Sequence, residues 1–210
     1  AVTLPEDGTY AIEVRDARYA GSGRYVYCLE VSEQPYAHAV FPMAVQRGQK
    51  SPAVIVGHNL GEVASAELSG EGEPGWTTQR LPVADASTNP VPILVSEHPQ
   101  IVSDGKNTSV DTALSVELPA GLNGRFLDPD SVHVYQFEAK KDQYYHFEVE
   151  SQRRGLALDS ILEILDVNGK RIVESDDGVQ TKDSKLYWKA PGNGKFYVTV
   201  RDLHGRGGER

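Results

Sequence analysis

At 210 residues the chain has room for one large or two small folded units, and no apolar run in it approaches the roughly 18 residues of a membrane span. A net charge of −9 and the lack of any basic cluster disfavour nucleic acid and anionic membrane surfaces as partners. The single cysteine, Cys28, excludes an intrachain disulfide and leaves the redox compartment open.

Two stretches match without a gap. Leu4-Pro-Glu-Asp-Gly-Thr-Tyr-Ala-Ile-Glu-Val-Arg-Asp16 and Ala190-Pro-Gly-Asn-Gly-Lys-Phe-Tyr-Val-Thr-Val-Arg-Asp202 both run from a Pro/Gly turn through an aromatic into period-2 alternation. That is the pattern of a half-buried strand. The first copy continues through Gly21-Ser-Gly23 into Tyr25-Val-Tyr-Cys-Leu-Glu-Val31, which reads as a second strand with Cys28 as a buried, inert thiol. A hairpin with strands near 9–15 and 24–31 is therefore expected, and because an isolated hairpin is marginal in water, something else must cover it. The second copy runs into Gly207-Gly-Glu-Arg210 where the matching strand would begin. The chain thus reads as the tail of one unit (1–32) followed by most of another, cut from a larger polypeptide. By the logic of strand complementation, 24–31 is expected to lie beside 196–201, in the same chain or in a strand-swapped dimer.

Residues 33–98 change character. An extended segment between Pro35 and Pro42 is followed by a turn at 46–50 and a strand at 51–57. Stretches 63–69, 76–81 and 91–95 are further strand candidates, and such spacing suggests a small sandwich. A polar connector at 98–106 leads into the last unit, so that the third division runs over 99–210. There 112–118 alternates, 121–126 turns, and 132–138 and 144–150 are strands joined at Lys140-Lys-Asp142. His133, Tyr135 and Phe137 share one face of the first of these strands, and Tyr145, Phe147 and Val149 one face of the second. A hairpin pairs 160–165 with 171–174 across Asp166-Val-Asn-Gly169, where Asn-Gly is a strong turn signal. Strands at 184–189 and 196–201 complete the set. No segment carries a 3.6-residue apolar period, so the fold class is all-β, with a β-sandwich of jelly-roll-like character.

Residues 33–98 resemble the IPT/TIG immunoglobulin-like domains through Pro42, Gly48, Val54-Ile-Val-Gly57, Asn59-Leu-Gly61 and Asn89-Pro-Val-Pro-Ile-Leu-Val95. The last unit resembles the bacterial pre-peptidase C-terminal (PPC) domain. The matching residues are Tyr135-Gln-Phe-Glu-Ala-Lys-Lys-Asp142, Phe147-Glu-Val149, Asp159-Ser-Ile-Leu-Glu-Ile-Leu-Asp166, Asn168-Gly169, Ser175-Asp-Asp177, Ser184 and Gly194-Lys-Phe-Tyr-Val-Thr-Val200. Residues 1–32 are similar to the end of the same domain. This order is similar to arrays in large exported bacterial proteins, often of planctomycete type. The resemblance implies a non-catalytic, extracytoplasmic accessory role in adhesion, substrate presentation or secretion.

Some PPC relatives bind calcium, and clustered carboxylates at Asp159, Asp166, Asp176 and Asp177 could supply hard oxygen ligands. Against this, Asp before Asn-Gly or Gly is explained by turn preference, and Ser131 and His133 stand where the family usually carries aspartate. The six histidines are scattered, without zinc spacing. No Gly-x-Ser-x-Gly elbow, His-Glu-x-x-His or phosphate loop is present, so no cofactor is expected and catalysis is not the favoured reading. Asn107-Thr-Ser109 fits a glycosylation acceptor. Trp76, Tyr144 and Trp188 are the candidate ligand-binding aromatics, with core packing as their alternative fate. Three functions are compatible with these features: a spacer or adhesion segment, a dedicated carbohydrate- or protein-binding module, and a small metal-dependent hydrolase.

Overall fold

The computed structural model describes residues 2–62 and 64–207. Among these residues seventeen strands run in the order β1 (Tyr36–Phe41), β2 (Ala44–Gln46), β3 (Lys50–His58), β4 (Ser65–Ser69), β5 (Gly75–Gln79), β6 (Pro82–Val83), β7 (Ala86–Ser87), β8 (Val91–Ser96) and β9 (Gln100–Val102), then β10 (Leu114–Ser115), β11 (Gly121–Asn123), β12 (Val132–Ala139), β13 (Tyr144–Glu148), β14 (Ser160–Leu165), β15 (Arg171–Ser175), β16 (Lys185–Lys189) and β17 (Gly194–Asp202). Two short 3-10 turns, Val110–Thr112 and Gln152–Arg154, are the helical elements among the described residues.

Strands β1 to β8 make a two-sheet sandwich, β1-β3-β4 facing β2-β8-β5, with β6-β7 as a separate small ribbon. Its core is built from alternating positions: Ala53 and Ile55 of β3 against Val91, Ile93 and Val95 of β8. A bulge at His38 shifts the parity of β1, which lets Ala37 and Val40, three residues apart, both point inward. Pro52 is tolerated inside β3 because β1 pairs only with Val54 onward, leaving one side of Pro52 without a strand neighbour.

The last unit stacks the five-stranded sheet β10-β12-β17-β14-β15 against the two-stranded sheet β13-β16. Phe137, at 1% exposure, is the centre of the core between them, with the Tyr145, Phe147, Trp188 and Phe196 rings 5.4–6.4 Å away. The expected hairpin forms as β14-β15 over Asp166 to Gly169, with Gly169 at φ +77° supplying the left-handed residue that Asn-Gly signals.

Several expectations are corrected. Residues 2–35 contain no strand: both predicted strands of the 1–32 hairpin are exposed coil with local turns at Asp16 and Ser22. Their pattern is strand-like, but a two-stranded ribbon without a third strand or a covering layer does not hold. Cys28 is accordingly exposed, not buried. The segment 24–31 does not lie beside β17, since β12 and β14 already occupy both sides of that strand. The two copies of the repeat thus differ in backbone, the first irregular and the second a nine-residue strand. The connector at 98–106 and the turn at 121–126 each contribute a strand, β9 and β11, which pair in parallel. The alternation at 112–118 yields only the two residues of β10. Val63, the first residue of one predicted strand, lies outside the described residues.

Candidate functional site

The outer face of β13-β16 gathers the most chemically distinctive exposed side chains. In antiparallel register Tyr144 lies opposite Lys189, His146 opposite Tyr187 and Glu148 opposite Lys185. The intervening positions Tyr145, Phe147, Leu186 and Trp188 turn toward the core, as period-2 alternation requires. The result is a strip with Tyr144 73% and Tyr187 68% exposed. The His146 ring stacks on Tyr187 at 4.6 Å and 12°. Lys189 Nζ lies 5.8 Å from the Tyr144 ring and Lys185 Nζ 5.6 Å from Tyr187.

Glu148 ties the end of the strip together. Its carboxylate receives Arg153 Nη1 at 2.8 Å and Lys185 Nζ at 3.2 Å, with His146 Nε2 at 3.4 Å. Partial burial alone would raise the Glu148 carboxyl, but the hydrogen bonds from Arg153 and Lys185 outweigh it and hold it below the usual value. The same bond from Glu148 raises Lys185.

Asp183 fixes Arg153. Fully buried, it accepts the backbone N–H groups of Ser151 (3.1 Å), Gln152 (2.7 Å) and Arg153 (3.0 Å) and the Arg153 Nε–H (2.9 Å). Burial pushes its carboxyl up, yet these donors together hold it below the ordinary range. The 3-10 turn shaped this way places the Arg154 guanidinium 4.2 Å from the Trp76 ring of β5. Sequence reasoning missed Asp183; an aspartate two residues before a strand carries no signal until its three N–H donors are brought to it.

The predicted aromatics therefore have different fates. Tyr144 is on the exposed strip, Trp76 is half-buried on β5 beneath Arg154, and Trp188, at 6% exposure, packs on Phe196 at 4.8 Å. They form no common platform, because Trp188 has the inward parity of β16 and its outward neighbour Tyr187 takes the exposed place.

The four aspartates offered for calcium are divided between the ends of β14. Asp159 precedes this strand and Asp166 follows it, about 23 Å apart at strand rise. Asp159 is buried against Lys182 Nζ (2.5 Å) and His204 Nε2 (3.4 Å). The Asp166 carboxylate accepts the N–H groups of Asn168 and Lys170, as a turn residue does. Asp176 accepts the N–H of Asp177 in the exposed loop after β15. Among the described residues no three His, Cys, Asp or Glu side chains converge as metal ligands.

Asn107, the glycosylation candidate, is 3% exposed; its Nδ2 donates to the Val134 carbonyl at 3.0 Å and its Oδ1 accepts the Ser103 hydroxyl. It is a tether of β12 and is closed to glycan attachment. His133 is buried against Phe126 at 4.6 Å, and desolvation lowers its pKa.

No protein-family model matches this chain, and a search of curated proteins finds no match either. Among the described residues no helix is long and apolar enough to cross a membrane.

Proposed function

We propose that this chain is a non-catalytic accessory segment of an exported bacterial protein, a spacer that adheres to polysaccharide through the outer face of β13-β16. The observation carrying this reading is the Tyr144–His146–Tyr187 strip, solvent-facing, with His146 stacked on Tyr187 and Lys185 and Lys189 beside the rings. Pyranose rings present C–H faces that pack on aromatic rings, while their hydroxyls take hydrogen bonds from neighbouring charged side chains. The motif order supports the setting: a PPC-like tail over 1–32, an IPT/TIG-like unit over 33–98 and a PPC-like unit over 99–210, in an extracytoplasmic protein whose remaining domains are the covalent partners. Assembly with a second copy through 24–31 belongs to the same picture.

A glycan array and retention on insoluble polysaccharides test the reading. Tyr144→Ala and Tyr187→Ala should each weaken binding about tenfold, the size of a moderate aromatic contact. Binding unchanged in both variants, or no glycan retained by the parent chain, would remove the polysaccharide from the proposal.

A further inference from the structure

The sheet β13-β16 ends on an unpaired edge. The bonds Ala190 N–H to Gln143 O and Val149 N–H to Ser184 O place the odd-numbered peptide groups of this strand toward β16. The N–H and C=O groups of Tyr144, His146 and Glu148 therefore face the other way, where the sheet has no further strand among the described residues. That edge opens onto a cavity of about 1950 Å³ that extends from it to Phe41, Leu94 and Arg206, and whose part next to β13 is lined by Val116, Leu118, Leu122, Phe137, Tyr145 and Phe147. An apolar groove along a free strand edge is an acceptor for an added strand.

We infer that this edge takes residues 25–31 of a second copy of the chain. In the folded chain these residues are exposed coil, yet they keep strand alternation: Tyr25 (56%), Tyr27 (72%), Leu29 (51%) and Val31 (73%) on one side, Val26, Cys28 and Glu30 on the other. The internal repeat marks them as the natural successor of a β17-like strand. Topology sets their direction. β12 runs antiparallel to β17 and turns over into β13, so a strand that continues from β17 into the second layer runs antiparallel to β13.

Charge selects the register. Pairing Cys28 with His146 sets Tyr27 opposite Phe147 and Leu29 opposite Tyr145 on the core side. On the outer side it sets Arg24 opposite Glu150 and Glu30 opposite Tyr144, next to Lys189. Sliding by two residues one way keeps Arg24 opposite an acid, Glu148, but puts Glu30 against Asp142, and the other way takes Arg24 past Glu150 to Gln152. Two copies exchanging this strand would complete each other's second sheet as a closed pair.

The register is tested by cross-linking and by assembly state, neither of which depends on the polysaccharide reading. In His146→Cys, whose second thiol is the native Cys28, diamide oxidation should give a chain pair on a non-reducing gel that is lost in His146→Cys/Cys28→Ser. In light scattering across a dilution series, Tyr27→Asp and Leu29→Asp should weaken the dimer at least about a hundredfold, while Val26→Thr on the outer side leaves it intact. Residues 25–31 pack in no core cluster of the folded chain, so these variants fold. A cross-link that closes within one chain, no cross-link, or a parent chain monomeric throughout the series would overturn the inference.

Discussion

Replacing Asp183 with alanine tests the reasoning that ties the β13-β16 face to the rest of the molecule. The buried carboxylate accepts three backbone N–H groups and the Arg153 Nε–H, all within 3.1 Å. Removing it leaves those donors without their acceptor, at about 1–3 kcal/mol for each group that water does not reach. Water will reach some of them, since Arg153 itself is 32% exposed, so the terms will not add in full. A loss of about 3–5 kcal/mol is expected, the range for breaking a buried ion pair. At about 4 °C or more per kcal/mol for a unit of this size, the melting temperature should fall by about 12 °C or more. Trp188, buried in the same core, reports the transition by fluorescence in a Trp76→Phe background. The pH dependence comes from the depressed carboxyl. Its contribution is complete above the unfolded-state value of about 3.9 and fades as pH falls through the lower folded value. The gap between parent and variant should thus be widest at neutral pH and close in acid. A variant within about 1 kcal/mol of the parent at neutral pH, or a gap that widens in acid, would refute the account.

Phe137→Ala should cost about 3–5 kcal/mol by guanidinium unfolding, since a ring surrounded by four others leaves a cavity that cannot close. Asn107→Ala should destabilise by about 1–3 kcal/mol in the same assay through the orphaned Val134 carbonyl and Ser103 hydroxyl. Expressed in a eukaryotic secretory pathway, the folded parent chain should carry no glycan at Asn107, as read by mass spectrometry of its peptides. Arg154→Ala should shift Trp76 emission while costing only about 0.5–1 kcal/mol, the scale of an exposed cation–π contact.

Much of the sandwich was legible in the chain. The alternation at 132–138, 144–150 and 160–165 became β12, β13 and β14, and the inward sets Tyr135/Phe137 and Tyr145/Phe147 meet in one core. The Asn-Gly turn fell where its chemistry placed it. Of the candidate face, Tyr144 was named from sequence, whereas Tyr187 was passed over for its larger neighbour Trp188. Size does not reveal parity; the register between β13 and β16 does. The short strands β9 and β11 left no signal, because three residues are too few to show a period, and the alternation at 112–118 did not say that only Leu114 and Ser115 would pair.

By itself, then, the sequence determined an all-β chain, the faces its longer strands turn inward, and a strand-like segment at 24–31. Those are local matters, set by the two-residue repeat of the extended backbone and by turn residues. The tertiary structure alone decided which edges are occupied: β17 became enclosed between β12 and β14, β13 kept a free side, and 24–31 stayed unpaired. The reason is that a strand's neighbours are chosen by hydrogen bonds to residues far along the chain. Alternation specifies a strand's two faces and says nothing about who sits at its edges.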